Sequence, residues 1–180
     1  MMLSCCLASS ESEGILAFLM IAGVLTLIFV ACHVNKKRQN NGIAQGKALK
    51  RTFDFMEYAE IFTTRPFPFR MLSDQIRQIQ IENLKIQMSV GQYGIQFYCK
   101  PLFLSGWQAD INELETPGGR TDVSMFRFEF THWTNKNGSA ESAWMMNLFL
   151  TEIEKAILKC DWNAIVQSKK LSLTSKRKIW

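Results

Sequence analysis

No lysine or arginine precedes Lys36 in this 180-residue chain. A cleaved secretory signal opens with a basic stretch ahead of a shorter apolar run, so the order of charge here argues against one. Histidine is almost missing: His33 and His132 are the two present, and only His132 lies outside the long apolar run. That leaves little material for a histidine-based metal site or proton relay. Five cysteines, Cys5, Cys6, Cys32, Cys99 and Cys160, form an odd set without a CxxC pair. They exclude a bridged framework and a thiolate zinc site, and they lean towards a reducing compartment. A phosphate-cradling loop is also lacking, because PGGR at 117–120 has neither P-loop spacing nor a following helix and reads as a turn.

Positive charge is missing from the body of the chain as well. Residues 52–168 hold ten Lys or Arg against fourteen Asp or Glu, so the basic balance comes from the flanks. Residues 35–51 carry Lys36, Lys37, Arg38, Lys47, Lys50 and Arg51 with no acid, and residues 169–180 carry Lys169, Lys170, Lys176, Arg177 and Lys178. A nucleic-acid binder needs its charge on the folded surface, so nucleic acid is not the expected partner.

What the chain does have is an apolar run. Residues 14–34, GILAFLMIAGVLTLIFVACHV, contain no Asp, Glu, Lys or Arg in 21 positions. At 1.5 Å per helical residue this crosses a hydrocarbon core of roughly 30 Å, and in lipid it must be helical to satisfy its own amides. Glu11 and Glu13 precede it and Lys36, Lys37 and Arg38 follow, which places the domain in the cytoplasm by the positive-inside rule. The rival is an extracytoplasmic domain: an envelope component such as a secretion-assembly subunit, a toxin-neutralising protein, or a lipoprotein. For the last, Phe29-Val30-Ala31-Cys32 loosely resembles a lipobox, although Phe29 fits poorly.

Periodicity then divides the chain into a tail (1–13), a transmembrane helix (14–34), a basic tether (35–47) with Asn40-Asn41-Gly42 as breakers, an α+β domain (48–168) and a basic tail (169–180). In residues 47–62 charges recur every three or four positions, which favours a helix over a strand through Phe53 and Phe55. Ser73-Asp74 is expected to cap a short helix through Ile76 and Ile79. Residues 84–90 and 95–99 alternate around a Gly91-Gln92-Tyr93-Gly94 turn, a hairpin, with Pro101 closing its second strand or marking an edge.

Residues 106–122 carry a weak signal, with Asp110, Glu113 and Glu115 read as an acidic loop. Phe126, Phe128 and Phe130 alternate strictly with Arg127 and Glu129, the clearest strand in the chain. After a loop at 135–139, a helix over 142–166 is expected to line one face with Met145, Phe149, Ile153, Ile157, Cys160 and Ala164 and to turn Glu154, Lys155 and Lys159 to water.

The expected fold class is α+β: an N-terminal transmembrane helix, then an antiparallel sheet covered by a long C-terminal helix. A strand series closed by a helix invites comparison with pleckstrin-homology-like folds, a topological analogy that would imply lipid or ligand binding. Of the candidate chemical groups, His132 reads as a strand-end residue, and Cys99 and Cys160 fall on apolar faces. No catalytic, metal or cofactor residue is expected. The expected function is therefore a non-enzymatic, membrane-tethered interaction module with a protein partner. Lys36, Lys37, Arg38, Lys176, Arg177, Lys178 and Trp180 are the expected contacts with the bilayer surface and its anionic head groups.

Overall fold

A computed structural model describes residues 3–51, 58–133 and 140–170. The chain divides into two units, Met1–Gly42 and Ile43–Trp180.

The first unit consists of helix α1 (Leu3–Ala44), which carries on into the first residues of the second. Residues 3–13, expected as a tail, and 35–44, expected as a tether, belong to this helix. Asn40-Asn41-Gly42 does not break it. The helix stops where Gly46 takes φ +69° and its N–H donates to the Ile43 carbonyl at 2.9 Å, a left-handed cap that glycine adopts without steric cost.

The second unit is a six-stranded antiparallel sheet with two helices. In chain order it runs β1 (Tyr58–Thr64), α2 (Phe69–Arg77), β2 (Leu84–Val90), β3 (Gly94–Pro101), β4 (Trp107–Leu114), β5 (Ser124–His132), α3 (Ala140–Cys160) and β6 (Ile165–Lys170). The order across the sheet is β2-β3-β4-β5-β1-β6. The β2–β3 hairpin pairs Val90 with Ile95 and Leu84 with Pro101, as the alternation predicts, and Pro101 ends its strand.

One face of the sheet supplies the core. Ile95, Phe97 and Cys99 of β3, Trp107, Ala109 and Ile111 of β4, Phe126, Phe128 and Phe130 of β5 and Phe62 of β1 are all buried. Met145, Met146, Phe149, Leu150, Ile153 and Ile157 of α3 close over them at helical spacing. Phe149 meets Phe97 edge-on at 5.2 Å between ring centres and Phe128 at 6.1 Å, so helix and sheet interlock through aromatic rings. At one end Phe67 and Phe69 stack on Phe126.

Four expectations need correction. Residues 58–62, expected within a helix, belong to β1, whose Glu60, Phe62 and Thr64 turn inward; sheet pairing on both sides overrides a charge spacing that is compatible with either structure. Helix α2 starts at Phe69, just after Pro68, and Ser73 lies inside it with its hydroxyl donating to the Arg70 carbonyl at 2.8 Å. Asp110 and Glu113 lie on β4, not in an acidic loop.

Finally, α3 ends at Cys160, and what was expected as its last turns is a bend followed by β6, paired antiparallel with β1. Asp161 makes that stop. Its carboxylate accepts from the Arg65 N–H at 2.8 Å, the Arg65 guanidinium and the Asn163 N–H, tying the end of β1 to the end of α3. These bonds, the Arg65 N–H foremost, hold the Asp161 carboxyl below its ordinary range. Because β6 follows α3, the strand series is not closed by a helix, which removes the premise of the pleckstrin-homology comparison. The loop expected at 135–139 and the strand considered through Phe53 and Phe55 lie outside the described residues.

Candidate interaction surfaces

Helix α1 contains one stretch long and apolar enough to cross a membrane, and none of it is buried within the protein. Phe18, Leu27 and Phe29 stand fully outward, and Thr26, a polar residue of the run, donates its hydroxyl to the Ala22 carbonyl at 2.8 Å. So much exposed apolar surface is costly in water and favourable in hydrocarbon. Lys36, Lys37 and Arg38 follow within one turn of Val34, all exposed, and at 100° per residue they fan around the helix as a basic collar. The other expected contacts, Lys176, Arg177, Lys178 and Trp180, lie outside the described residues.

A second feature was not foreseen. The connector between α1 and the sheet is fastened to α3 by a buried polar cluster. The Arg51 guanidinium donates to Glu154 Oε1 at 2.7 Å, to Thr151 Oγ1 at 3.1 Å and, closely, to Asn147 Oδ1. Asn147 Nδ2 in turn donates to the Leu49 carbonyl at 3.0 Å, and Ala48 enters the core. Side-chain exposure is 6% for Arg51 and 9% for Glu154, so this pair is screened little by solvent. Glu154 therefore faces inward, contrary to its expected position in water.

Glu60 on β1 is also buried and accepts from the Ser168 hydroxyl at 3.0 Å. One guanidinium thus serves two buried carboxylates. Burial pushes both acids up; Arg51 pulls both down, and Ser168 also lowers Glu60. The sign of the linkage follows. A carboxyl raised in the folded state binds its proton more tightly there, so stability falls as pH climbs from 4.5 through the folded value. Glu60→Gln keeps an acceptor for Ser168 and removes the charge. Its urea midpoint is expected to exceed wild type at neutral pH and to fall less steeply than wild type as pH rises above 4.5, the share due to Glu154 remaining. Asp161 has the opposite sign and matters only at acid pH, where its stabilisation is lost as pH falls through its lowered value.

The third feature is the sheet face opposite the helices. Strand register sets Gln96 beside Asp110 and Asp110 beside Glu129, while Tyr98, Gln108 and His132 form the next row. Between Gln108 and Ala109 the register of β4 and β5 shifts, which brings Thr131 and His132 together to the rim of a shallow hollow of about 350 Å³. Gln87, Ser89, Gln96, Tyr98, Gln108 and Asp110 also line it, with Met88 and Phe97 as its apolar members. Burial, then repulsion from Glu129, raises the Asp110 carboxyl, and His132 opposes them. Nδ1 of His132 is buried with no hydrogen-bond partner among the described residues.

The polar side chains that line the hollow offer hydrogen-bond donors and acceptors. Among the described residues no three His, Cys, Asp or Glu side chains converge as a metal site. Cys99 is fully buried on the core face, and burial pushes its thiol up to about 12, far from a nucleophilic thiolate. Sequence reasoning missed this face because it missed β4. The signal was present in the alternation of Trp107, Ala109 and Ile111 with Gln108, Asp110 and Asn112, obscured by acids of low strand propensity.

None of the family models, curated proteins or solved structures compared with the chain matches it.

Proposed function

We propose that this is a single-pass membrane protein that holds a non-enzymatic α+β interaction domain at the cytoplasmic face and binds a protein partner through the helix-free face of its sheet. The observation that carries the reading is the charge-free 21-residue helical run, exposed on all sides and followed at once by the basic collar. The charge order supports cytoplasmic placement, because Lys and Arg beside a span are retained on that side. For the partner, the support is a broad face of Gln96, Tyr98, Gln108, Asp110 and His132, with Tyr98 exposed and side chains that hydrogen-bond without forming a reactive set. Antiparallel sheets tolerate one solvated face, so this one needs no cover to be stable.

Affinity capture from detergent extracts tests the reading. A tagged wild-type chain is expected to retain a partner protein that a Gln96→Lys, Gln108→Lys variant releases, with both chains folded by circular dichroism. Equal retention by the two would remove this face as the binding surface.

A further inference from the structure

Alternation of the strands brings one set of termini to a single end of the sheet. There lie the start of β1 at Tyr58, the start of β2 at Leu84, the turn over residues 101–106, the close of β5 at His132 and the close of β6 at Lys170. The turn between β3 and β4 presents two apolar side chains to solvent: Leu102 is 57% exposed and Phe103 95%.

That presentation is built in. Phe103 sits at φ +66°, a left-handed conformation that costs an L residue energy and that is found where structure enforces it. The Leu102 N–H donates to the Asn83 carbonyl at 2.9 Å, bracing the turn against the connection that leads into β2. Gly106 closes the turn so tightly that a Cβ there would lie 3.0 Å from the Cys99 carbonyl oxygen. A phenylalanine held outward in this way, with almost none of its surface covered by the protein, is strained backbone spent on an exposed aromatic.

Among the described residues of this rim, Lys85 and Lys100 pair across β2 and β3 and Lys169 lies near the end of β6, all three exposed, with Glu82 as an exposed acid beside them. From β6 the sequence runs on into Lys176, Arg177, Lys178 and Trp180. An apolar tip inside a basic rim is complementary to a lipid surface: the tip suits the boundary of head groups and acyl chains, and the lysines suit anionic head groups.

We infer that this end of the domain is a membrane-docking edge, with Leu102 and Phe103 entering the bilayer boundary and Lys85, Lys100 and Lys169 meeting anionic head groups. The inference rests on the membrane reading above, since the bilayer it docks on is the one that holds α1. It adds an orientation: the edge lies on the lipid, and the polar sheet face stands beside it, open to a partner.

The test uses the full chain in vesicles of phosphatidylcholine containing phosphatidylserine, with photoreactive benzoylphenylalanine placed in turn at Phe103, at Phe29 of α1 and at Tyr93. Tyr93 is 64% exposed in the hairpin at the opposite end of the sheet, so it reports non-specific contact. Lipid adducts are expected at positions 29 and 103, severalfold above position 93, and those at 103 are expected to drop severalfold when phosphatidylserine is omitted. Adducts at 29 with none at 103, or equal yields at 103 and 93, overturn the docking edge and leave the span intact. Crosslinks from 103 to a second copy of the chain overturn it in favour of a protein contact. Yields at 103 that ignore phosphatidylserine overturn the docking edge as an anionic-lipid site. A lack of adducts at 29 overturns the membrane reading itself.

Discussion

Replacing Arg51 by methionine is expected to destabilise the domain by about 3–5 kcal/mol, the usual result of stranding a buried carboxylate by deleting its partner. The substitution keeps much of the side-chain volume and removes the donors to Glu154, Thr151 and Asn147. Glu154, whose Oε2 already lacks a partner among the described residues, would lose its cation, and buried Glu60 would lose the nearby positive charge that favours its ionised form. Denaturant titration of the full chain in detergent measures this as a lower midpoint with an unchanged slope.

Adding Glu154→Leu to Arg51→Met is expected to recover most of the loss, because a buried pair exchanged whole for apolar groups is often close to neutral. If the single variant matched wild type, the cluster would be no clamp. Arg51, Leu49 and Ala48 belong to the segment that follows α1, so the substitution also loosens that segment from α3.

The second large effect concerns the span. Val24→Arg with Leu25→Arg places two charges near the middle of the apolar run, at a combined cost of about 6–8 kcal/mol for insertion. Wild-type chain is expected to stay in the pellet after carbonate washing and ultracentrifugation, and the double variant to move to the supernatant. Wild-type protein in the supernatant would contradict the membrane reading. A protease added to intact cells is expected to spare the C-terminus and to cut it once the cells are opened; cutting in intact cells would place the domain on the other side.

Where local pattern and tertiary environment agree, the fold was legible in the sequence. Phe126, Phe128 and Phe130 alternate because every second residue of β5 faces the buried core, and Met145, Phe149, Ile153 and Ile157 recur because a helix presents one stripe to a sheet. Glu154 was misplaced for an equally physical reason. On a helical wheel a glutamate beside two lysines belongs to water, and the cation that draws it inward stands 103 residues earlier in the chain. β6 was absorbed into the helix because Cys160 and Ala164 continue the helical spacing, while the interactions that end α3 come from Arg65, 96 residues earlier in the chain.

By itself, the order of residues determined the membrane-length helix with its basic collar, the hairpin, the phenylalanine strand and the covering helix, because each depends on contacts within a few positions or on transfer between water and oil. Only the tertiary structure decided which sheet face stays open, that Arg51 locks the connector to α3, and that Phe103 shares an end of the sheet with Lys169. Those facts depend on strand pairing and on buried partners about a hundred residues apart, and no local window contains both sides of such a contact.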